Sequence, residues 1–417
     1  MNLLQASVFA PFRIRSFRYQ WPADLTTSWA FEMETLILGW YVLVETRSVL
    51  MLTIFASLLY VGTLLAPMFG VMGDRVGHRR VLSAMRTLYA TLAFVLMILA
   101  FMDALTPMIV LAITAVLGLV RPSDIGMRTA MVGETMPPEQ LMGAMGIQRT
   151  TQDSARIAGA LTGAGLVAAM GMGPAYAVVV TFYLISVALT LKAGRATLPR
   201  PATDSATQRP TPWRDLREGL SYVWHTPYLR ATMLFAFLLN LTAFPLFNGL
   251  MPYVAKVVYE ADQTTLGTMV AAAATGSLTG SIIMSRFGNL FSPARAMVIF
   301  GAAWLGVLLV FAQTTSPAMG IPVLMAAGIM QTMGLIPINT LLLRTSNPRY
   351  RGRIMGIRMM AIYGNLPGLM LAGPLIAGFG YASTATAYCV FGISVIGLIA
   401  LHWREHLWQG GAAANAR

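Results

Sequence analysis

The stretch Gly70-Val-Met-Gly-Asp-Arg-Val-Gly-His-Arg-Arg80 is rich in glycine and charge, and it stands between two long apolar runs at 49–69 and 81–101. Each run has the length of about 20 residues with which an α-helix crosses a bilayer. The stretch therefore predicts a tight connection between two membrane-spanning helices. Its arginines and histidine place the connection on the cytoplasmic face, because cytoplasmic loops carry the excess of positive charge.

The composition of the chain excludes an ordinary soluble fold. Only 11% of the 417 residues are charged and 56% are hydrophobic, whereas soluble domains carry about 25% charged residues. Lipid must therefore solvate most of the chain, and the expected fold class is an all-α, multi-pass membrane protein. The net charge of +13 is spread over short loops, so it indicates no nucleic-acid partner. A lone cysteine, Cys389, excludes an internal disulfide and a thiolate metal cluster.

Apolar runs of about 20 residues predict twelve membrane spans. The first six are expected near 24–45, 49–71, 82–102, 107–128, 145–169 and 174–192, and the second six near 230–254, 264–285, 296–314, 318–342, 355–378 and 383–403. Twelve spans put both termini on one side of the membrane. Of the basic residues in the loops between spans, only Arg47 and Lys256 fall on the outer side, and this asymmetry places both termini in the cytoplasm.

Polar segments divide the chain into five parts. We expect a cytoplasmic N-terminal segment at 1–20, a six-helix bundle at 21–193, a cytoplasmic linker at 194–228, a second six-helix bundle at 229–404 and a cytoplasmic tail at 405–417. The first segment leads into a span too long and too charged for a cleaved signal peptide, so we expect it to remain. The linker ends in an amphipathic stretch that suits a helix on the membrane surface.

The pattern Gly-x-x-x-Asp-Arg-x-Gly-x-Arg-Arg at 70–80 resembles the loop between helices 2 and 3 of the major facilitator superfamily of secondary transporters. In that family the loop is a conformational latch, and the resemblance implies the same role here. The latch residues that it marks are Gly70, Asp74, Arg75, Gly77, Arg79 and Arg80.

The two halves of the chain repeat one another. Arg75-Val-Gly77 recurs 211 residues later as Arg286-Phe-Gly288, and Met145-Gly-Ile147 recurs 210 residues later as Met355-Gly-Ile357. The repeat extends the resemblance over the whole chain. It implies two pseudo-symmetric six-helix bundles of the major facilitator fold, with a substrate site between them. The second copy has Ser285 at the position of the latch aspartate.

The tracts 17–18, 39–48, 218–230 and 351–356 are similar to the branch of this superfamily that includes the enterobactin exporter and related efflux proteins. One feature departs from many drug antiporters, which have a Gly-Pro pair in helix 5. This chain has Gly159-Ala160 there, although the glycine spacing that allows close helix packing continues to Gly163. The resemblance therefore implies efflux more strongly than antiport.

Charged side chains inside spans cost about 2.5–3.5 kcal/mol each on insertion scales, so each one indicates a function or an ion pair. The candidates for proton coupling are Glu32, Glu34, Arg121, Asp124, Asp153 and Arg156. The resemblance implies that helices 1, 4, 7 and 10 line the central cavity, where both glutamates would meet Arg121. Structural ion pairs at helical spacing are the alternative, mainly for helices 4 and 5. Four acids face two bases, Arg121 and Arg156, and Arg149 stands nearer the cytoplasmic edge. At least one carboxylate therefore lacks an obligatory partner, with a slight preference for Glu34 over Glu32.

The second half of the chain carries neutral polar groups in its spans instead of charges. Its candidates for substrate binding are Asn240, Asn248, Gln331, Asn339, Tyr363 and Asn365. These groups suit a neutral or largely apolar substrate. The alternative is that each amide makes a hydrogen bond between helices, worth about 0.6 kcal/mol.

The sequence indicates no enzyme. Its four histidines are not grouped with cysteines or carboxylates at metal-binding spacing, and no phosphate-binding loop is present, so we expect no cofactor and no metal. We predict a monomeric secondary transporter of a bacterial inner membrane. It would export a small organic molecule, drug-like or siderophore-like, by alternating access with the proton gradient as its energy source. The alternatives are an importer or facilitative uniporter of the same fold, and a receptor or scaffold that transports nothing.

Overall fold

The structure is a computed structural model, and it describes residues 10–193, 212–345, 354, 357–358 and 360–405. Nearly all of these residues are helical. The α-helices are α1 (Arg15–Thr46), α2 (Val49–Leu58), α3 (Ala66–Val76), α4 (His78–Phe101), α5 (Pro107–Thr135), α6 (Pro138–Met170), α7 (Met172–Lys192), α8 (Pro212–His225), α9 (Pro227–Phe244), α10 (Met251–Tyr253), α11 (Gln263–Phe287), α12 (Pro293–Ala312), α13 (Pro317–Thr345), α14 (Asn365–Phe379) and α15 (Tyr381–His402). Short 3₁₀ turns cover Ala10–Arg13, Val61–Leu65, Gly288–Leu290 and Ala361–Gly364.

In the part of the chain that the structure describes, twelve helical segments have the length needed to span the membrane. Within the described residues, nine helical segments are long and apolar enough on their own. The helices α1 and α6, with 32 and 33 residues, are also long enough but carry more charged side chains. The twelfth span is broken and consists of α2, a 3₁₀ turn and α3. The predicted all-α fold with six spans in each half of the chain is confirmed.

The predicted continuous span at 49–71 is wrong in one respect, because the helix breaks after Leu58. A Cβ on Gly62 would overlap the backbone carbonyl oxygens of Gly118 and Leu119 in α5, so the chain passes that helix at a distance only glycine allows. Pro67 then occupies the first turn of α3, where its missing N–H costs nothing. The result is a 3₁₀ turn between two separate helices.

The described chain forms two compact units. The first contains residues 10–47, 61–193 and 266–271, and the second contains 48–60, 212–265 and the described residues from 272 onward. Two short segments thus belong to the unit built mainly from the other half of the chain. The domain boundaries expected from the sequence stay a prediction.

In the first unit, α1 packs against α5, α6 and α7. The closest approach is to α6, where a Cβ on Gly163 would lie 3.0 Å from the Cα of Met33 and a Cβ on Gly159 would lie 2.9 Å from the carbonyl oxygen of Trp29. The glycine spacing of α6 therefore permits a close helix contact, as in other membrane bundles. This contact positions the acidic residues of α1.

In the second unit, Trp304 of α12 is fully buried between two phenylalanines. Its ring meets Phe244 and Phe247 edge to face, with centroids 5.2 and 5.7 Å away. The helices α11 and α13 also touch closely, since a Cβ on Gly328 would overlap the carbonyl oxygen of Ala273 and lie 2.8 Å from the amide of Ser277.

Replacing Gly328 by leucine is expected to lower the free energy of unfolding by about 1–3 kcal/mol, because α11 and α13 would have to separate. Thermal unfolding in detergent measures the loss. Gly306→Leu in α12 is the matched control, since a Cβ there meets no atom within 4 Å. Equal unfolding temperatures for the two variants would show that the close contact contributes nothing.

The path after α9 is irregular in a way that the sequence did not indicate. Two π-helical turns, Pro245–Gly249 and Val254–Val258, flank the short helix α10. Each is closed by a hydrogen bond across five residues, from the Leu250 amide to the Pro245 oxygen at 3.1 Å and from the Tyr259 amide to the Val254 oxygen at 2.9 Å. Turns of this kind are frequent at functional sites.

The start of α11 is capped by Asp262. Its carboxylate accepts hydrogen bonds from the Thr264 hydroxyl at 2.7 Å and from the amide and hydroxyl of Thr265 at 2.9 and 2.8 Å. These bonds favour the ionised form and lower the pKa of Asp262 to about 2. The cap therefore keeps its charge at all physiological pH values and sits at the positive end of the helix dipole.

Candidate functional site

The first unit contains four buried ionisable groups that form a paired cluster, which we define as Asp24, Arg86, Asp124 and Arg128. Asp24 of α1 lies at its centre and is 3% exposed. Its Oδ1 forms an ion pair with the fully buried Arg86 of α4 and lies 3.7 Å from Nε of Arg128. Its Oδ2 accepts a hydrogen bond from Gln148 at 3.3 Å.

Arg128 of α5 completes this cluster. It forms an ion pair with Asp124, one helical turn earlier, and Asp124 is fully buried. Its Nη1 also donates to the Ser28 hydroxyl at 2.6 Å and to the Asp24 carbonyl oxygen at 3.3 Å. Two carboxylates thus face two guanidinium groups, so the paired cluster is electrically neutral without any further ion.

Glu34 lies about 15 Å further along α1, at 1.5 Å per residue. It is 1% exposed, and its Oε2 accepts a hydrogen bond from the hydroxyl of Tyr183 at 3.0 Å. Its Oε1 is buried and has no hydrogen-bond partner within the described part of the chain. No ion pair to Glu34 is present among the same residues, so this carboxylate is not neutralised in the way that Asp24 and Asp124 are.

Aromatic rings lie on one side of Glu34, beginning with the Tyr183 ring whose hydroxyl it binds. Phe31, one turn earlier on α1, meets Tyr89 of α4 edge to face at 5.0 Å and Tyr183 of α7 at 5.9 Å between centroids. Tyr89 and Tyr183 are fully buried. The carboxylate therefore sits in a buried pocket beside aromatic rings, where an unpaired charge is costly.

Arg121 of α5 is held beside the same pocket by Phe31. Its Nη2 donates to the Phe31 carbonyl oxygen at 2.7 Å, and its guanidinium carbon lies 3.8 Å from the centre of the Phe31 ring. The charge of Arg121 acts on Glu34, but the two side chains form no direct ion pair. Phe31 stands three residues before Glu34 on one face of α1, so the guanidinium of Arg121 is anchored about one helical turn before Glu34.

The other predicted coupling residues lie apart from this pocket. Glu32 is half-buried against α6, where a Cβ on Gly159 would lie 2.6 Å from its own Cβ. Asp153 forms an ion pair with Arg149 at 3.3 Å, and the Arg149 side chain is 62% exposed. Arg156 is half-buried on the same helix.

Two interpretations of the sequence need correction. Asp124 pairs with Arg128 and not with Arg121, although both arginines stand at helical spacing from it. The count of two bases in the first bundle omitted Arg86 and Arg128, which are both buried and charged. The available signal was Arg86 itself, a lone arginine inside an apolar run, since such a residue requires a buried partner.

The predicted latch is only in part a turn. Residues 70–76 belong to α3, and the chain reverses at Gly77, whose φ of +100° is a conformation that residues other than glycine rarely adopt. Arg79 then donates to the carbonyl oxygens of Leu191 and Ala193, both at 3.0 Å, at the end of α7. A cation at this position also complements the helix dipole.

His78 connects the other side of the turn to α5. Its Nδ1 lies 2.8 Å from a carboxylate oxygen of Glu134 in α5, and its ring packs against Gly73. Arg75 and Arg80 are exposed, and Gly70 is half-buried within α3. The side chain of Asp74 lies outside the described part of the structure.

The polar candidates of the second unit fall into two groups. Some are engaged in hydrogen bonds: Asn240 donates to the Ala236 oxygen at 2.8 Å, and Gln331 accepts from Ser277 at 3.0 Å. Asn248 is half-buried. The remaining candidates each keep one buried oxygen without a partner among the described residues, and they are Asn339, Tyr363 and Asn365.

Long apolar helices in two units, with ionisable groups buried in the interior of one of them, are typical of a secondary transporter of the membrane. The described residues contain no group of three side chains that would hold a metal ion. The chain belongs to the Major Facilitator Superfamily, whose family model matches residues 27–364. The predicted membership is thereby confirmed, and the protein is a transporter and not an enzyme.

Known proteins support this assignment at two levels. Over 176 residues the chain is 30% identical to the multidrug efflux pump Tap of Mycolicibacterium fortuitum, a match that spans 41% of each chain. This relative agrees with the predicted efflux branch. A mutant of the nucleoside transporter NupG superposes with a TM-score of 0.73 at 13% identity over 93% of this chain and 99% of its own.

A second solved structure has the same fold. It is a bacterial homologue of the human lysosomal transporter Spinster in an inward-facing, unoccupied conformation, with a TM-score of 0.72 at 13% identity over 94% of this chain and 98% of its own. At these identities the two structures show the fold alone.

Proposed function

We propose that this chain is a proton-coupled exporter of small organic molecules that works by alternating access in a bacterial inner membrane. The observation that carries the proposal is Glu34, a buried carboxylate with one oxygen bonded to Tyr183 and the other without a described partner. The name of the Tap relative supports the direction of transport. The charge asymmetry of the loops supports cytoplasmic termini.

Glu34 suits the role of proton carrier because the other buried acids of its unit are already neutralised. Asp24 and Asp124 each face an arginine, and Asp153 faces Arg149. An ionised Glu34 in this buried pocket loses the hydration of its carboxylate without gaining an ion pair, and a bound proton removes that cost. Glu34 would therefore hold a proton while it is occluded and release it when its surroundings open to water.

Arg121 is the partner that would receive the charge when the proton leaves. Its guanidinium is held by a carbonyl oxygen and the face of a ring, and neither contact neutralises it. A change of side-chain conformation over about one helical turn would bring it to Glu34. After proton release, Arg121 would leave Phe31 and form an ion pair with the ionised Glu34. The transporter would then have two states, one with a neutral Glu34 and one with an ion pair between Glu34 and Arg121.

The substrate class proposed here is a neutral or largely apolar organic molecule. The second unit offers the unpartnered oxygens of Asn339, Tyr363 and Asn365 as hydrogen-bonding groups. No acidic residue occurs between Asp262 and Glu405. Any ion coupling must then reside in the first unit.

Flux measurements in liposomes test the proposal. The full chain is reconstituted with a pH-sensitive dye inside the vesicles, and ethidium serves as the test substrate. In an exporter that exchanges protons for substrate, the two move in opposite directions. Entry of ethidium into the vesicle then raises the luminal pH, and exit of ethidium lowers it. Substrate movement without proton movement identifies a uniporter, proton movement in the same direction as the substrate identifies an importer, and absence of both, over a panel of dyes, identifies a scaffold.

The latch carries a separate prediction. Asp74→Asn is expected to shift the population towards the state open to the cytoplasm and to slow transport, while expression is unchanged. Labelling of a cysteine at position 352, introduced as Gly352→Cys with Cys389→Ser, by a membrane-impermeant reagent in inside-out vesicles measures the shift. Asp103→Asn, an exposed aspartate at the end of α4, is the matched control. Unchanged labelling in the Asp74 variant would show that this carboxylate does not stabilise the closed state.

A further inference from the structure

A cavity of about 200 Å³ lies within the second unit, where α11, α12 and α13 meet. Its walls include Met284, Phe291, Ala296, Ile336 and Thr340. Pockets for drug-sized ligands usually measure about 300–1,000 Å³, so this cavity is too small for one. Since a water occupies about 30 Å³ of liquid, the cavity has room for one part of a larger molecule.

The connection between α11 and α12 presents exposed apolar side chains beside this cavity. Phe287, Leu290 and Phe291 are 47%, 78% and 39% exposed. Phe291 forms one wall and is fixed edge to face against Phe300 at 5.6 Å. A short loop with three exposed apolar side chains is unfavourable in water and favourable in the interface of a bilayer. A position at the level of the lipid headgroups therefore suits this connection.

The first unit provides a comparison for this loop. At the repeat distance of 211 residues, Leu290 and Phe291 match Arg79 and Arg80. Arg79 holds two carbonyl oxygens at the end of a neighbouring helix, whereas the second unit has replaced that arginine by an exposed leucine. The second loop therefore has no arginine at the position that makes the two hydrogen bonds of Arg79, and it has an exposed apolar surface instead.

Two arginines flank the cavity along the chain. Arg286 stands between the lining residues Met284 and Gly288, and Arg295 stands between Pro293 and Ala296. Both arginines are exposed. Residues 263–404 contain no aspartate or glutamate, so this stretch of the chain carries a net positive charge. An anionic headgroup complements that charge.

We propose that this site binds an anionic phospholipid. Its phosphate lies between Arg286 and Arg295, its glycerol or the first part of one acyl chain enters the cavity, and Leu290 and Phe291 insert beside it. Basic side chains near a membrane surface attract anionic lipids in this way. The site is independent of the transport pathway proposed above and holds for either direction of transport.

Native mass spectrometry of the detergent-purified full chain tests the site with dioleoyl phosphatidylglycerol and dioleoyl phosphatidylcholine. We expect the anionic lipid to bind more tightly, and we expect R286Q/R295Q to lose about fivefold in affinity for each arginine, or about 25-fold in all. The control R217Q/R404Q removes two exposed arginines elsewhere on the second unit and keeps the affinity of the unchanged protein. Equal losses in the two double variants would overturn the site, since charge alone would then explain binding.

A second variant tests the cavity and does not change charge. Thr340→Phe fills the space and is expected to reduce phosphatidylglycerol binding at least fivefold, with thermal unfolding measured to confirm that the variant is folded. A folded Thr340→Phe variant with full affinity would show that the lipid does not enter the cavity. Competition by glycerol 3-phosphate at millimolar concentration would show a site for free phosphate and would equally overturn the proposal.

Discussion

Glu34→Gln is expected to abolish proton-driven accumulation of substrate while exchange of substrate down its own gradient continues. Glutamine has the shape of a protonated glutamate and cannot release a proton, so the variant stays in one of the two charge states. Transport into liposomes with and without an imposed pH gradient separates the two activities. Arg121→Ala should impair both, because the cation then no longer stabilises either state.

Glu32→Gln is the matched control for this prediction. Glu32 stands two residues before Glu34 on α1 but is only half-buried, so it is less strongly desolvated than Glu34 and we expect coupling to survive its loss. Full coupling in both glutamine variants would place the proton site elsewhere. Asp153 would then be the better candidate, since Asp124 is fully buried against Arg128.

Asp24→Asn is expected to lower the free energy of unfolding by about 3–5 kcal/mol. The variant leaves Arg86 fully buried without its carboxylate, and an uncompensated buried charge costs this much. Yield of folded protein and thermal unfolding in detergent measure the loss. The double variant Asp24→Asn/Arg86→Gln should recover part of it, because both charges are then removed together.

Asp153→Asn is the control, because it also removes a carboxylate from an ion pair but the arginine of that pair is exposed. Its partner Arg149 has a side chain that is 62% exposed, and water can solvate that arginine once the pair is broken. Exposed pairs contribute about 0–1 kcal/mol. If Asp24→Asn and Asp153→Asn lose equal stability, the paired cluster does not hold α1, α4 and α5 together.

The features that the sequence predicted correctly are those that depend on short segments of the chain. Twelve spans follow from hydropathy over about 20 residues, which is a local property. The break after Leu58 could not be predicted in the same way, because it depends on the distance between Gly62 and α5. Neither could the π-helical turns after α9, since the prolines there are compatible with several helical geometries.

The ion pairs, too, depend on contacts between distant segments that the sequence does not show. Asp124 has an arginine three residues before it and another four residues after it, and both spacings allow an ion pair. Arg128 is the partner because Asp24 and Ser28 of α1 hold its guanidinium from the other side. Which arginine pairs with Asp124 therefore depends on contacts with the neighbouring helix α1, and the sequence alone does not show which helices are neighbours.

The ion pair between Asp24 and Arg86 also has a consequence for the biosynthesis of this protein. Its members are 62 residues apart, and at about 5–20 residues per second the ribosome needs about 3–12 s to make that stretch. During this time Asp24 cannot meet Arg86, and a carboxylate that enters the bilayer without a partner costs up to about 2.5–3.5 kcal/mol at the centre of a span. The buried position that Asp24 has in the folded first unit therefore becomes favourable only when α4 arrives, so we expect α1 to settle into that position after α4 has been synthesised.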